Sequence, residues 1–314
     1  MMTNVRIAAF GCGYWGRNHI RTLAEMGALA AICDLDAHAA QALADEHGVP
    51  FASADDVLAD PTIDGVVLAL PASVHAHMAM RALDAGKHVF VEKPMALTAH
   101  DADAVVAKAR SADRVIMVGH ILRYHNTFQK LLDCISDDMI GDVLHLQSHR
   151  LAFGKFHATF DALWDLAPHD LSLVLSVIGA EPDHVSIVRH AYASEQADAG
   201  HIHMRFASGI GADVFVSRHS AYNERKFVAK GTKGSLIWDD WADWPKKLSF
   251  VRHTASHADG DWSFERRELE FIPTKQGMAL TDELQHYLDC ISVGARPFTD
   301  GAQGAAVVKI LATP

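Results

Sequence analysis

Short apolar runs alternate with stretches of helical period through the first 120 residues. Residues 5–10 form a short run, apolar apart from Arg6, that ends in Gly11-Cys12-Gly13-Tyr14-Trp15-Gly16; a stretch with helical period then runs to Met26 and closes at Gly27, a residue suited to a C-cap. Residues 29–33 form the next apolar run and end at Asp34. A helix over 37–47, a short strand over 49–51 and a helix over 54–58 follow. Residues 65–70 are continuously apolar, as a strand covered on both faces must be. Pro71 ends that run, and a helix over 74–85 stops at Gly86. A strand over 88–91 carries Glu92-Lys93-Pro94 at its carboxyl edge. Thr98 opens a helix over 99–111 in a capping-box pattern with Asp101 in place of glutamate. A sixth strand, 115–118, ends at Gly119-His120. This order predicts an α/β fold, a doubly wound parallel sheet that takes its ligand beyond the strands' carboxyl ends.

The period changes after residue 120. A connecting helix is predicted over 122–135, a long alternating strand over 143–152, and a helix over 165–178 with Pro168 near its start. Residues 184–191, 200–207 and 212–220 alternate with period two, with a turn at 208–211; strands follow at 227–229, 235–238 and 266–271. That predicts a second domain of α+β type, with an open, mostly antiparallel sheet, helices on one face and the other face available to a second subunit. Terminal helices are predicted over 283–293 and 303–311. The boundary falls at residue 120, giving a dinucleotide-binding domain over 1–120 and a substrate and oligomerisation domain over 121–314, whose last helix packs back on the first.

The chain's 314 residues suit two domains, and its 49% hydrophobic and 21% charged content is that of an ordinary globular protein. A net charge of −11 disfavours nucleic acid and anionic membranes as partners, while allowing a local basic pocket. No apolar run approaches the ~20 residues of a membrane span. The N-terminal residues lead straight into a strand pattern, which predicts no secretory leader and a cytoplasmic protein. Cys12, Cys33, Cys134 and Cys290 lie far apart without C-x-x-C spacing, so they read as reduced thiols rather than metal ligands.

The glycine pattern sits between a strand and a helix, and an acid follows at the end of the next strand. That is the context of a dinucleotide fingerprint. Gly11, Gly13 and Gly16 let the backbone approach a pyrophosphate at the helix N-terminus, beside Tyr14 and Trp15. Asp34 accepts a ribose 2′-hydroxyl and repels a 2′-phosphate, which favours NAD. Cys12 is a small filler in the turn. Lys93, at a strand's carboxyl end, is a candidate for proton work; the alternative is a snorkelling surface lysine. Asp165 and His169 share a helix face, as a catalytic pair or an i,i+4 surface pair; no further residue has the spacing to complete a metal site. Pro71 shapes the nicotinamide side through its backbone, and His75 either touches cofactor or packs. Arg150 either clamps a substrate phosphate or forms a rim ion pair. Tyr124 and Trp164 line the sugar or simply pack.

Gly11-x-Gly13-x-x-Gly16, Glu92-Lys93-Pro94, Gly119-His120-x-x-Arg123-Tyr124, Asp165-x-x-x-His169 and Gly231-Thr232-Lys233-Gly234 together resemble the Gfo/Idh/MocA oxidoreductases across almost the whole chain. The resemblance implies that Glu92 and Lys93 lie near the nicotinamide ribose and that Lys93 also contacts the reacting hydroxyl. It implies His169 as acid/base and Asp165 as the residue orienting substrate, with Arg123, Tyr124, Arg150 and Trp164 around the sugar. The segments 13–18, 150–154 and 163–170 look like the nucleotide-sugar branch, which includes UDP-N-acetylglucosamine 3-dehydrogenases that supply a 3-keto sugar to a PLP aminotransferase. Residues 123–126, Arg-Tyr-His-Asn, depart from relatives that carry proline there. The expectations are NAD as cofactor, a homodimer or homotetramer, and oxidation of a secondary ring hydroxyl. Alternatives are a dehydrogenase of a free sugar or inositol, a recycled tightly held cofactor, and a non-catalytic NAD or sugar sensor.

Overall fold

The computed structural model describes residues 5–154, 156, 160–193 and 195–314. Residues 1–4, on which part of the leaderless reading rests, lie outside that set. Two units separate by their internal packing: Met1–Ile121 with Met278–Ala312, and Leu122–Gly277 with Thr313–Pro314.

In the first unit, β1 (Ile7–Phe10), α1 (Tyr14–Glu25), β2 (Leu29–Cys33), α2 (Ala37–His47), α3 (Ala54–Ala59), β3 (Gly65–Leu68), α4 (Ala72–Asp84), β4 (His88–Glu92), α5 (Ala99–Ala112) and β5 (Ile116–Gly119) follow in turn. The strands pair in parallel in the order β2-β1-β3-β4-β5. The reversal of strand order beside β1 opens the crevice in which such sheets bind ligands. Asp36, Ser53 and Thr98 cap α2, α3 and α5 with their side chains. The strand expected over 49–51 is a correction: only an isolated bridge, Ile32 to Phe51, forms there. Pro50 has no N–H for a ladder, so the sheet has five strands rather than six.

In the second unit, α6 (Asn126–Ser136) precedes β6 (Val143–Phe153), α7 (Ala162–Ile178), β7 (His184–His190), β8 (Ala199–Arg205), β9 (Gly211–Ser217), β10 (His219–Gly231), β11 (Gly234–Asp239), β12 (Leu248–Ala258) and β13 (Asp261–Ile272). The sheet order is β13-β12-β11-β10-β6-β9-β8-β7, antiparallel except for the β6–β9 pair. The helix expected over 122–135 is interrupted: a 3₁₀ turn over Ile121–Tyr124 ends before His125, whose ring accepts the Thr127 N–H and starts α6 afresh. The chain then returns to the first unit with α8 (Ala279–Val293) and α9 (Gly301–Leu311).

One face of the second sheet packs on α7. Gly200 makes this close approach possible, because a Cβ there would lie 2.5 Å from the Leu163 side chain. The opposite face carries His145 and His203, both paired to Asp213 at 2.8 and 2.7 Å, and His201 stacked on Phe215.

Candidate active site

The glycine turn is shaped by two contacts and leaves one opening. Gly11 has φ +100°, and a Cβ would fall 2.2 Å from the Ala69 carbonyl oxygen; at Gly16 it would fall 1.9 Å from the Gly11 carbonyl. Those two glycines therefore answer to the protein's own backbone. Gly13 meets nothing within 4 Å, so its missing side chain leaves room for a ligand instead. It also stands at the N-cap of α1, which has no side-chain cap and no acid in its first turn. Uncapped N–H groups at a helix start suit a pyrophosphate. The Asp34 carboxylate accepts the N–H groups of Cys12 and Asp36 at 2.5 and 2.8 Å, which fixes it at the end of β2 for a ribose. Tyr14 and Trp15 stand exposed on the first turn, and Leu35, beside Asp34, is fully exposed. Burial, with Asp34 beside it, pushes the Cys12 thiol up to about 12, which disfavours the reactive thiolate and suits a space-filling role. These residues fit NAD: the α1 N-terminus would hold the pyrophosphate and Asp34 the ribose.

Glu92 ends β4 with its carboxylate against two donors. His19 Nε2 lies 2.8 Å from its Oε1, and the Lys93 N–H donates to its Oε2 at 3.2 Å. Gly119 on β5 leaves the space, since a Cβ there would sit 3.2 Å from that carboxylate. Burial pushes the Glu92 carboxyl up, but the His19 hydrogen bond and the charges of His19, Lys93 and His75 outweigh it and hold the group below its ordinary range. His75 has a different place from the cofactor contact considered for it. It is buried, with Nδ1 2.8 Å from the Pro94 carbonyl and Nε2 2.7 Å from the Leu70 carbonyl, so it ties the turn after β3 to the turn after Lys93. Burial lowers its pKa against the pull of the two carbonyls and Glu92. Pro71 is the N-cap of α4.

Behind this cluster, Glu283 on α8 is fully buried, and neither carboxylate oxygen meets a donor among the described residues. One turn on, the Tyr287 hydroxyl donates to the Val66 carbonyl at 3.2 Å, and its ring packs on Phe90, which packs on His19. Burial, then the Glu92 charge, raises the Glu283 carboxyl well above its ordinary value. A value raised in the fold gives stability that is full below the unfolded value, about 4.3, and lost as pH rises through the folded one. Glu283→Gln cannot ionise, so its melting temperature relative to the parent is expected to climb steadily from pH 5 to pH 9. A pH-independent difference in thermal melts would mean that Glu283 carries no such buried proton.

In the second unit, α7 starts three residues earlier than the sequence suggested. Asp161 is its N-cap and accepts the Trp164 N–H at 2.8 Å. Pro168 is therefore inside the helix rather than near its start, and it removes one intrahelical bond at the second turn. Asp165 and His169 stand on one half-buried face. Arg218, at the β9–β10 junction, donates from Nη2 to Asp165 Oδ2 at 2.6 Å and from Nη1 to the Phe160 carbonyl at 2.9 Å. Asp170 is buried and accepts a two-pronged bond from Arg150, Nε to Oδ2 at 2.8 Å and Nη2 to Oδ1 at 3.0 Å, plus the Ser148 hydroxyl at 2.7 Å. Arg150 thus makes an ion pair rather than offering a free fork to a phosphate, and the pair lies inside the fold rather than on the rim.

Arg123 and Tyr124 are both buried; burial lowers the Arg123 guanidinium to about 10, and it lies 6.0 Å from the Phe128 ring. Trp164 is half-buried in the first turn of α7. The sequence reading missed His19, Glu283, Asp170 and Arg218. The partners of His19, Asp170 and Arg218 lie 73, 20 and 53 residues away in the chain, and Glu283 has no donor among the described residues to point to it. Among the described residues no cluster of histidine, cysteine or acids could hold a metal ion, and no helix is long and apolar enough to cross a membrane.

Residues 5–120 match the model of an oxidoreductase family with an NAD-binding Rossmann fold, and residues 128–237 match the GFO/IDH/MocA C-terminal domain. The chain is 29% identical to UDP-N-acetylglucosamine 3-dehydrogenase of Acidithiobacillus ferrooxidans over 98% of its own length and 95% of the relative. It is 28% identical to scyllo-inositol 2-dehydrogenase (NAD(+)) of Bacillus subtilis over 95% and 89%. A solved structure of the Acidithiobacillus ferrooxidans enzyme superposes with a TM-score of 0.84 at 29% identity, over 97% of this chain and 94% of that one.

Proposed function

Because the chain belongs to the Gfo/Idh/MocA oxidoreductases, we propose that it oxidises a secondary ring hydroxyl of a nucleotide sugar, with UDP-N-acetylglucosamine and its 3-keto form as the first pair to try. It is an NAD-dependent oxidoreductase acting on a CH–OH group. The observation that carries the finer reading is the end-to-end match to a UDP-N-acetylglucosamine 3-dehydrogenase. NAD, when bound, supplies the two-electron acceptor. His169 takes the hydroxyl proton, Lys93 stabilises the developing oxyanion, and Asp165 accepts a hydrogen bond from a neighbouring sugar hydroxyl. Gly11, Gly13, Gly16, Asp34 and Glu92 hold and orient the cofactor.

A second reading is a free polyol such as an inositol. The match to scyllo-inositol 2-dehydrogenase favours it, and so does the engagement of Arg150 by Asp170, which removes one candidate for a phosphate contact. The uncovered sheet face bearing His145, His203 and Asp213 supports pairing with a second copy, which sedimentation would register as a dimer or tetramer. The four free thiols favour the reducing cytoplasm. A PLP aminotransferase is the reaction class expected to consume a 3-keto amino-sugar precursor.

The test is reduction of NAD by the purified protein with UDP-N-acetylglucosamine, other nucleotide sugars, free sugars and inositols in parallel, with carbonyl product trapped as it forms. Turnover confined to a UDP-sugar is expected, with NADP much poorer because Asp34 faces the 2′ position. Turnover confined to inositols or free sugars would replace the substrate reading and keep the chemistry.

A further inference from the structure

Arg218 has no part in the dinucleotide fingerprint or in the Glu-Lys-Pro and Asp-x-x-x-His motifs, yet it forms an ion pair with Asp165. Its side chain is 5% exposed, while a third of the Asp165 side chain, 33%, remains accessible. The backbone around Arg218 is pinned on both sides: its N–H donates to the Asp198 carbonyl at 2.8 Å and its carbonyl accepts the Gly154 N–H at 2.9 Å. Asp198 is itself buried, and its Oδ2 accepts the N–H groups of Tyr192 and Ala193 at 2.9 and 2.6 Å. The guanidinium therefore reaches α7 from a rigid strand junction. It meets the helix at its weakest point, because Pro168 cannot donate to the Trp164 carbonyl. From the same junction it also holds the Phe160 carbonyl, just ahead of the Asp161 cap.

We infer that Arg218 is a positioning residue for the reaction, holding the Asp165 carboxylate in one orientation as a hydrogen-bond acceptor one turn before His169. The inference rests on the reading that Asp165 meets the substrate. Arginine stays charged at any working pH, so a carboxylate bonded to it at 2.6 Å accepts and does not donate. The division of labour follows: proton transfer falls to His169, and Asp165 fixes the sugar. Among the described residues, Arg218 reaches Asp165 from the strand junction, and His169 and the capping Asp161 stand on the same helix as Asp165. The neighbouring pair Arg150–Asp170 satisfies itself.

The experiment compares Arg218→Met, Arg218→Lys, Asp165→Asn and the double variant Arg218→Met/Asp165→Asn by steady-state kinetics across pH, with thermal melts and NAD binding as controls. Loss of one charge-assisted bond that places a substrate-contacting group should lower kcat/KM about 10- to 100-fold. The rise in sugar KM should exceed the fall in kcat, and the acid limb of the profile should move to higher pH. Arg218→Lys should recover part of the loss with the acid limb close to the parent's, because it keeps the charge and loses the fork. In the Asp165→Asn background, Arg218→Met should add little. If Arg218→Met is too unstable to assay, Arg218→Lys with unchanged KM would overturn the inference. So would a folded Arg218→Met with the parent's pH profile, or full additivity with Asp165→Asn. Full activity of Asp165→Asn itself would instead sink the reading of Asp165 and leave the Arg218 contact as structural.

Discussion

Lys93→Met is expected to lose about 10²- to 10⁴-fold in kcat while NAD still binds, the range that a positioned proton-transfer or oxyanion-stabilising group contributes. The expectation comes from how the turn is built. On one side of Lys93, Glu92 accepts the Lys93 N–H and is itself held by His19; on the other, the Pro94 carbonyl is held by His75. The backbone is therefore fixed by groups other than the lysine side chain. Methionine keeps most of the apolar stem and removes the ammonium, so packing changes little. The Gly11–Gly16 turn and Asp34 lie on other segments of the same unit and keep their geometry. Calorimetric titration with NAD beside turnover with the best substrate separates the two effects. Affinity held and kcat lost would assign the ammonium to the chemical step. Loss of affinity with kcat intact would make Lys93 a cofactor anchor, and an unchanged variant would remove it from the site.

The parts of this design that show in the sequence are those whose cause is local. Gly11 and Gly16 can be read because a strand, a tight turn and a helix follow one another within a few residues. Buried strands such as β3 and β4 are continuous apolar runs. Features that depend on distant partners left no such trace. Nothing about His19 in α1 points to Glu92, 73 residues on, and Arg218 sits in an ordinary polar turn 53 residues from Asp165. The break at His125 carries no glycine or proline, since a histidine ring does the capping. β12 escaped notice because its outer half is exposed on both faces, where neither side needs apolar residues and period two disappears. Arg150 shows the opposite hazard. An arginine in a strand beside a substrate motif left a phosphate clamp and an ion pair equally open, and the structure pairs it with a buried carboxylate.

That carboxylate carries the second large effect. Asp170→Ala is expected to destabilise the protein by about 3–5 kcal/mol, because removing one partner of a buried pair strands the other charge. Asp170 is 2% exposed and Arg150 14% exposed at the side chain, so water can compensate the stranded guanidinium only in part. The Ser148 hydroxyl loses its acceptor at the same time. For a unit of this size the loss corresponds to a fall of about 6–20 °C in melting temperature. Asp170→Asn should cost less, since the amide oxygen still accepts from Arg150 or Ser148. Arg150→Met paired with Asp170→Leu should recover much of the loss, because apolar groups of similar volume replace the pair without leaving a charge behind. Chemical and thermal unfolding of these variants decides the point. If Arg150 instead serves a substrate phosphate, Arg150→Met alone would raise the sugar KM and leave the melting temperature nearly unchanged. The buried two-pronged geometry requires the reverse order, with stability falling first and affinity only as a consequence of a loosened α7. Asp170 adjoins His169 in that helix, so the cost of disturbing the pair should reach turnover through the position of the histidine.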